Sequence, residues 1–385
     1  MLKIGFAENR FMIQGPLLTF MLLFYNFFIL SSLNNILELS INSYTIFIIV
    51  LIIAISRITS MTIERNKTHT ITQYLMEFDG IWLWASFMYL FEIIILYVIE
   101  QFIIIPLSLK AIFILLIPVL GIIGYYIAHN IYIKEYEIYL NEKSQTQSKP
   151  MTIIQISDLH IGSIRREKTL KKVVKAINKI ASQKENTQVI TVIAGDIADG
   201  SCPITPDMFM TFKEATMPVI FTPGNHDYYQ GIDNVKTALE NAGITILDNE
   251  NIIYDKENIN LIGLKFSFNE SEQDDTYQLP IKQDKNNIVI YHAPFYWDEF
   301  SKMGVDLELS GHTHGGQFYP AIWFTKRMFK YNRGLFNRQV IQENGTKTNS
   351  YLSVTDGVGS FATPIRLGTH SEVVVLDINR VPKKE

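Results

Sequence analysis

Two histidines lie one residue apart in the segment GHTHGG, residues 311–316. Glycines flank His312 and His314, and glycine accepts positive φ angles and lets the backbone approach a ligand closely. In a tight loop, two imidazole rings can point in different directions and contact different partners. The segment therefore predicts a ligand-binding loop, with a solvated turn as the alternative for this stretch taken alone.

Similar polar residues follow four other apolar segments that have the composition of buried β-strands. They are Asp158 and His160, then Asp196 and Asp199, then Asn225, His226 and Asp227, and finally His292. Each has a structural alternative by itself, such as a helix cap, an Asx turn or a core histidine. Sites in open α/β sheets form at the carboxyl ends of strands, so the five strand ends together predict one crevice.

Oxygen and imidazole ligands without thiolate suit Mn, Fe or Zn ions. The candidate ligands are too many for one ion and about enough for two divalent ions that share a carboxylate. Two ions about 3.5–4 Å apart can generate hydroxide near neutral pH and clamp both oxygens of a phosphoryl displacement. The residues therefore predict phosphoester hydrolysis by metal-activated hydroxide. The single cysteine, Cys202, excludes a Cys-based zinc site and an internal disulfide framework.

Strands and helices alternate from residue 151 onward, which predicts an α/β layered domain. Strands are expected at 151–157, 189–195, 218–224 and 287–291, and helices at 167–182 and 231–242. The last predicted strands, 350–355 and 371–378, have no helix between them, so antiparallel strands should complete the sheet. Residues 131–150 are predicted to form a first strand, over 133–140, and a linker.

Residues 1–130 contain four apolar segments, near 14–33, 41–56, 81–99 and 111–128. A helix needs roughly 20 apolar residues to cross a bilayer core of about 30 Å, so these segments predict a transmembrane region. The segment 41–56 is short and could instead be re-entrant or interfacial. The domain prediction is therefore a membrane region over 1–130 and a catalytic domain over 151–385.

Positive charges alternate between the loops of this region. The N-terminal tail and the loop 57–80 carry Lys and Arg, and Lys134, Lys143 and Lys149 follow the fourth span. The loop 34–40 carries neither Lys nor Arg, and the third loop has only Lys110. The positive-inside rule then predicts a multi-pass protein of the cell (inner) membrane with a cytoplasmic catalytic domain. The net charge of −4 argues against a nucleic-acid partner.

The order D-x-H, G-D-x-x-D, G-N-H, H and G-H-x-H over residues 151–385 resembles the calcineurin-like metallophosphoesterases. The segments SDLHIG, GNHDYY, GHTHGGQ and PIRLG…SEV resemble a bacterial branch whose members are often membrane-anchored or exported. The resemblance implies a β-sandwich flanked by helices. The expected fold is thus an N-terminal α-helical membrane domain followed by an α/β metallophosphoesterase domain.

The resemblance also implies roles for individual residues. One ion would be held by Asp158, His160 and His314, and the other by Asn225, His292 and His312, with Asp196 bridging. His226 would be the catalytic histidine and the Asp199 carboxylate would orient it, while Asp227 reads as a turn residue. Serine/threonine phosphatases of the superfamily have Arg and Glu where this chain has Gly200 and Asp227, so a phosphoprotein phosphatase is disfavoured.

Residues 319–333 interleave aromatic side chains with cations that include Lys326 and Arg327. Such a mixture suits the headgroup region of a bilayer and predicts a lipid-linked phosphoester substrate, with a lipid bilayer as partner. The alternative is that the aromatic residues pack against the sandwich while the cations face water. Arg165 and Arg166 are further candidates for contact with a substrate phosphate, or else exposed cations at the start of a helix.

Three functions fit the sequence. The first is a membrane-anchored two-metal phosphoesterase that hydrolyses phosphodiester or pyrophosphate bonds, on a lipid-linked substrate. The second is a phosphomonoesterase or nucleotide phosphodiesterase that the anchor only localises. The third is a non-enzymatic scaffold on the same fold, which the full ligand set and the presence of Asp199 and His226 disfavour.

Overall fold

The computed structural model describes residues 4–144, 147–229, 231–267, 279–341 and 347–381, with side chains described from residue 20 onward. The chain divides into two compact units, Met1–Ile123 and Gly124–Glu385.

Four helices account for the first part of the chain. They are α1 (Ile4–Ile36), α2 (Ser43–Glu64), α3 (Thr70–Glu100) and α4 (Leu107–His129). Among the described residues, α2, α3 and α4 are long and apolar enough to cross a membrane, while Phe20–Ile36 of α1 is a shorter apolar helix. The predicted first span, 14–33, therefore lies partly outside the residues whose side chains are described.

Helix α2 corrects the length expected for the second span. Its Asn42 cap accepts a hydrogen bond from the Thr45 backbone N–H, and the helix continues for 22 residues to Glu64. That length is enough to cross the bilayer core, so a re-entrant or interfacial segment is not needed. Ile48, Ile52 and Ile55 expose 55%, 61% and 61% of their surface, as expected of side chains that face lipid.

The second unit contains twelve strands and four α-helices in the part of the chain that the structure describes. The strands are β1 (Ile131–Asn141), β2 (Met151–Ile156), β3 (Gln188–Ala194), β4 (Val219–Thr222), β5 (Thr245–Ile246), β6 (Glu250–Tyr254), β7 (Ile259–Gly263), β8 (Asn286–Ile290), β9 (Val305–Ser310), β10 (Gly334–Ile341), β11 (Lys347–Val354) and β12 (Ser371–Val381). The helices are α5 (Glu167–Ala181), α6 (Ile232–Asn241), α7 (Trp297–Met303) and α8 (Ala321–Met328).

The strands form two sheets, in the orders β1-β12-β2-β3-β4-β5 and β10-β11-β9-β8-β7-β6. Strands β2 to β5 are parallel to one another, and β12 joins them antiparallel to β2, as the helix-free end of the sequence predicts. Strand β11 departs from that prediction on one side, because it pairs in parallel with β9 and antiparallel with β10. Strand β1 is an edge strand. It pairs in parallel with β12 from Ile131 opposite Ser371 to Asn141 opposite Val381.

Two of the hydrophobic cores in the described residues hold these layers together. One lies between the sheets and includes Ile153, Ile190 and Leu307, while the other lies beneath α5 and α6 and includes Ile154 and Phe221. Helix α5 contributes Leu170, Val173, Val174, Ile177 and Ile180, all buried. This is the i, i+3, i+4 spacing that places side chains on one helix face. The predicted β-sandwich flanked by helices is therefore confirmed.

Candidate metal centre

Five strand ends meet at one edge of the sandwich. Asp158, Asp196 and Asn225 follow β2, β3 and β4 within three residues, and His292 and His312 follow β8 and β9. Three overlapping groups result whose ligand atoms lie within 4.8 Å of one another: Asp158, His160 and His314; His160, Asp196 and His226; and Asp196, His292 and His312. The structure thus brings together the residues expected at the strand ends.

The backbone is strained at three of these strand ends, after β2, β3 and β9. Left-handed φ angles occur at Asp158 (51°), His160 (48°), Asp196 (53°), His312 (70°) and His314 (50°). A non-glycine residue in this region costs about 1–3 kcal/mol and persists only where the surrounding structure holds it. Close packing holds it here, because a Cβ on Gly224 would collide with the Asp196 carboxylate and one on Gly311 with that of Asp158.

The first ligand cluster joins the loops after β2 and β9. His160 Nε2 and His314 Nε2 are 3.1 Å apart, and His314 Nε2 lies 3.4 Å from Asp158 Oδ1. The Nδ1 atoms of both histidines are buried and lack a hydrogen-bond partner among the described residues. Two imidazole nitrogens and a carboxylate oxygen that converge in this way can be ligands of one ion, so this geometry fits a metal site.

The second cluster joins the loops after β3, β4, β8 and β9. His292 Nε2 lies 3.1 Å from Asp196 Oδ2 and 3.2 Å from His312 Nδ1, and His312 Nδ1 lies 3.0 Å from Asn225 Oδ1. Asp196 Oδ2 is also 3.9 Å from His160 Nε2 of the first cluster. Asp196 therefore lies between the two clusters, where a shared carboxylate would have to be.

Burial and neighbouring charges set the protonation states of the candidate ligand histidines. Burial lowers the pKa of His160 and of His312 to about 3, and that of His314 well below its ordinary value, so the rings are neutral. Burial opposes the charge on His292, but Asp196 and Asp158 outweigh it and raise its pKa to about 10. Metal ligands must be neutral imidazoles and ionised carboxylates. The proton on His292 supplies positive charge where a divalent ion would supply it.

His226 lies beside both clusters and is held by the backbone. The backbone N–H of His226 donates to Asp196 Oδ1 at 2.8 Å, and its ring Nδ1 lies 3.1 Å from the backbone carbonyl oxygen of Asp199. The Asp199 carboxylate instead accepts the Ser201 backbone N–H at 2.7 Å. In this structure Ser201 engages the Asp199 carboxylate and the Asp199 carbonyl oxygen lies next to the His226 ring, so the orienting role of the carboxylate stays a prediction. Burial raises the pKa of Asp199 to about 6.

Asp227 is more than the turn residue that the sequence suggested. It is fully buried, and its carboxylate accepts backbone N–H groups of Asp196 at 2.9 Å, Ala198 at 3.1 Å and Gly224 at 2.8 Å. It thereby ties the loop after β3 to the loop after β4. The only sequence signal for this role was an acidic residue directly after GNH.

Arg366 lies in the segment PIRLG, which the sequence analysis used only as a mark of family resemblance. In the structure it also stabilises a segment next to the candidate metal ligands. Its buried guanidinium donates to the carbonyl oxygens of Asp356 at 2.6 Å and Gly359 at 2.7 Å. Gly359 in turn donates its N–H to the Asp158 carbonyl oxygen at 2.7 Å. Arg366 thus secures the segment that packs against the loop after β2.

The structure gives Arg165 and Arg166 other partners than a substrate. Arg165 is 2% exposed, and its guanidinium donates to the Ala128 carbonyl oxygen at 2.9 Å and the Ser360 hydroxyl at 2.7 Å. Arg166 Nε donates to the Ser163 carbonyl oxygen at 2.8 Å. Backbone and hydroxyl partners inside the domain therefore engage the buried charge of Arg165, and its contact with a substrate stays an untested prediction. Arg166 also bonds to the chain itself.

Residues 319–333 divide into a packed and an exposed set. Phe329 stacks on Phe295 with ring centroids 5.7 Å apart, and Lys330 Nζ pairs with Asp298 at 2.6 Å. Helix α8 behaves differently: Trp323, Phe324 and Met328 expose 62%, 60% and 74% of their surface, and Lys326 and Arg327 are exposed beside them. Packing against the sandwich therefore accounts for the second half of the segment and not for α8.

Comparison with known proteins finds the same domain. Residues 151–316 match the family model of the calcineurin-like phosphoesterases. An uncharacterised metallophosphoesterase of Helicobacter pylori is 30% identical over 261 residues, and one of Campylobacter jejuni is 26% identical over 280. The first alignment covers 66% of this chain and 65% of that protein, and the second 71% of each.

A bovine (Bos taurus) relative is described as a transmembrane protein with a metallophosphoesterase domain. It is 22% identical over 253 residues, which cover 60% of this chain and 54% of that protein. The chain thus spans between about half and 71% of the length of these relatives. Together with the three apolar helices, the bovine relative indicates a membrane protein.

Proposed function

Because residues 151–316 match the family model of the calcineurin-like phosphoesterases, we propose that this chain is a membrane-anchored phosphoesterase that uses two divalent metal ions. One observation carries the proposal: two ligand clusters share Asp196, and His226 lies beside them. A scaffold without activity has no need of metal ligands at five strand ends, with a strained backbone at three of them.

The donor set assigns residues to each ion. Asp158, His160 and His314 would hold one ion, Asn225, His292 and His312 the other, and Asp196 would contact both. When bound, such a pair of ions lowers the pKa of water and neutralises charge on phosphoryl oxygens. Asp227 and Arg366 hold the loops that carry these ligands.

His226 is the proposed catalytic residue. The Asp199 carbonyl oxygen can only accept a hydrogen bond, so it fixes the proton of the imidazole on Nδ1 or, in the imidazolium, holds one of the two protons. A ring nitrogen of His226 lies within 4.8 Å of the ligand atoms of His160 and Asp196. With Nδ1 at the Asp199 carbonyl oxygen, Nε2 of His226 can contact the phosphate or give a proton to the leaving oxygen. General-acid catalysis of this kind contributes about 10²–10⁴-fold in rate.

We propose a lipid-linked phosphodiester or pyrophosphate as the substrate. Support comes from α8, which begins five residues after Gly316 of the metal loop and exposes Trp323 and Phe324 beside Lys326 and Arg327. Aromatic rings of this kind enter the acyl boundary while cations meet lipid phosphates.

The first test measures metal-dependent hydrolysis by the full-length protein in detergent. With manganese, we expect cleavage of bis-p-nitrophenyl phosphate that is at least about 100-fold lower in Asp196→Asn and His226→Ala. Asp255→Asn is the matched control, since its side chain is 82% exposed. Equal activity in wild type and both site variants would contradict the proposal, and preferential cleavage of p-nitrophenyl phosphate would identify a monoesterase.

A second test separates the lipid substrate from general activity. Lys326→Gln/Arg327→Gln should lower turnover of phosphatidylglycerol in mixed micelles at least about fivefold, because each cation near a lipid surface contributes ~1 kcal/mol. Turnover of the soluble diester should stay within twofold. Lys168→Gln/Lys175→Gln on α5 removes the same charge from another exposed face. Equal losses on both substrates would exclude the role of α8.

A further inference from the structure

Two large aromatic side chains lie exposed next to His226. The ring centroids of Phe361 and Tyr229 are 5.5 Å and 4.6 Å from that of His226, and the two residues expose 53% and 56% of their surface. Phe361 also lies 6.3 Å from the His160 ring and 6.4 Å from the His314 ring. Exposed aromatic rings that converge on a candidate catalytic residue are typical of a ligand site. We call Phe361 and Tyr229 the ring pair.

Phe361 is held by the loop that carries two of the candidate metal ligands. Gln317 in this loop is 6% exposed, and its side-chain Oε1 accepts the Phe361 backbone N–H while its Nε2 donates to the Phe361 carbonyl oxygen at 3.1 Å. The Gln317 backbone N–H donates to the His314 carbonyl oxygen at 3.0 Å. The backbone that carries the exposed ring is therefore fixed relative to the metal loop, which is the preorganisation that a binding site needs.

Tyr229 reaches His226 through a tight turn beside a glycine. Residues His226–Tyr228 form one turn of 3₁₀-helix, and the Tyr229 backbone N–H donates to the His226 carbonyl oxygen at 3.0 Å. Side chains three residues apart eclipse one another in this geometry, so the two rings lie together. A Cβ on Gly200 would lie 2.8 Å from Tyr229 Cβ. The arginine that serine/threonine phosphatases have at this position would therefore displace Tyr229, and the glycine makes room for its ring.

The ring pair lies where the leaving group of the substrate has to be. His226 is the residue proposed to give a proton to the leaving oxygen, so the group attached to that oxygen lies next to the His226 ring. Phe295, another exposed ring, lies beside His312 of the second ligand cluster instead, with ring centroids 6.1 Å apart. The ring pair is therefore placed to contact the leaving group rather than the part of the substrate near His312.

We infer that Phe361 and Tyr229 favour a leaving group that carries an aromatic ring close to the scissile phosphate. Aromatic rings attract one another in edge-to-face or offset-stacked geometry beyond the gain from burial, which a saturated group cannot reproduce. The inference rests on the proposed function, because it takes His226 as the proton donor. In a lipid-linked substrate, the ring-bearing group and the lipid would be the two sides of one phosphodiester or pyrophosphate.

The inferred leaving group does not change the balance of the reaction. Water adds to phosphorus, and the P–O bond to the ring-bearing group breaks. The leaving oxygen takes the proton of His226, and the proton released by the water replaces it. The ring pair takes no part in these bond changes and determines only which leaving group binds well.

Calorimetric titration of the full-length protein in detergent with manganese tests the inference without turnover. The probes are phenylphosphonate, cyclohexylphosphonate and methylphosphonate, which carry the same anionic group on an aromatic ring, a saturated ring and a methyl group. We expect phenylphosphonate to bind at least about tenfold more tightly than methylphosphonate and about threefold more tightly than cyclohexylphosphonate, because only the aromatic ring gains from both burial and ring–ring contact.

Three variants assign this preference to the ring pair. Phe361→Ala/Tyr229→Ala should remove it, whereas Phe361→Tyr keeps an aromatic ring and should retain it. Both positions are more than half exposed, so these variants should fold. Phe295→Ala is the matched control, since it removes an exposed ring beside His312 and should leave the preference unchanged.

Hydrolysis of bis-p-nitrophenyl phosphate, which has an aromatic leaving group, separates binding from catalysis. The double alanine variant should raise KM at least about fivefold and change kcat less than about threefold, as expected when a contact made equally in substrate and transition state is lost. A lower kcat at unchanged KM would overturn the inference, because the rings would then only position His226.

Equal or undetectable affinity of the wild type for the three phosphonates would also overturn the inference, as would a preference that survives in the double alanine variant. Equal affinity for phenylphosphonate and cyclohexylphosphonate would exclude the aromatic class. Absence of hydrolysis by the wild type would contradict the proposed function instead, and the phosphonate affinities would still decide whether the ring pair recognises an aromatic group.

Discussion

Asp158 combines two unfavourable features at one residue. Its φ angle is 51°, and its buried carboxylate lies near His292, which the Asp196 carboxylate also contacts. Burial raises the pKa of Asp158 to about 6. Both features are costs of a site built to hold cations, and they destabilise the protein when no cation is bound.

We therefore expect Asp158→Asn to stabilise the metal-free protein while it abolishes metal-dependent hydrolysis. Asparagine tolerates the left-handed region and carries no charge to bury, so the gain should be about 1–3 kcal/mol. Thermal unfolding of the full-length protein in EDTA measures this gain. With manganese present the order should reverse, because only the wild type gains stability from bound metal.

Asp255→Asn removes a carboxylate that is 82% exposed and serves as the control. Its midpoint should match the wild type within about 1 °C in both conditions, as exposed ion pairs contribute little. A lower midpoint for Asp158→Asn in EDTA would show that the carboxylate stabilises the empty site, contrary to this account.

At the residue scale, the sequence motifs identify which residues are candidate ligands, but they do not show which groups those residues form hydrogen bonds with. The strand-end positions of Asp158, Asp196 and His292 were readable because polar residues interrupt apolar runs there. The acceptor for His226 was not, since it depends on Ser201 engaging the Asp199 carboxylate. The burial of Arg165 was equally hidden, because a guanidinium that bonds to a carbonyl oxygen looks in sequence like any surface cation.

At the element scale, β9 carries a buried acid, Glu308, that the proposed chemistry does not use. Glu308 is fully buried, and Ser310 Oγ donates to its Oε1 at 3.0 Å. Burial raises the pKa of Glu308 to about 8. The negative charges of Glu299 and Asp298 also raise this pKa, and the Arg338 guanidinium lowers it. The strand therefore holds a neutral carboxylic acid at neutral pH.

This pKa predicts a pH-dependent stability. Between about pH 4.5 and 8 the folded state binds a proton that the unfolded state has lost, so stability falls as pH rises through that window. Glu308→Gln keeps an acceptor for Ser310 and cannot ionise. We expect it to match the wild type near pH 5 and to be more stable by about 2–4 kcal/mol at pH 9.

Denaturant unfolding followed at both pH values measures the difference, and Glu240→Gln on the exposed face of α6 controls for the loss of a charge. A constant offset between Glu308→Gln and the wild type from pH 5 to 9 would mean that Glu308 does not titrate in this window.

Elements were predictable where their apolar periodicity was complete. Helix α5 and strands β2 and β3 show it in full, and their predicted bounds agree with the structure within two residues. Strands β6 and β10 and helix α8 have few fully buried side chains, so they lacked an apolar pattern that would predict them. Helix α2 was predicted too short because Arg57 interrupts the apolar run, although the helix continues and the arginine pairs with Asp79.

At the scale of the whole molecule, the loop charges make a testable statement about orientation. We expect an export-dependent phosphatase reporter to be inactive when fused after Glu385 and active when inserted in the loop 37–42 between α1 and α2. A fluorescent reporter that folds only in the cytoplasm should show the opposite pattern. An active export-dependent reporter after Glu385 would place the catalytic unit on the outer side of the membrane.

The pairing of β1 with β12 has a consequence for how the protein is made. Strand β1 leaves the ribosome soon after the last membrane helix, but its partner, Ser371–Val381, follows about 230 residues later. At ~5–20 residues per second, translation leaves this eleven-residue strand without its neighbour for roughly 10–50 s. During that time its open hydrogen-bonding edge lies close to the translocation machinery, so a nascent chain stalled before residue 371 should be a preferred client of chaperones and quality-control proteases.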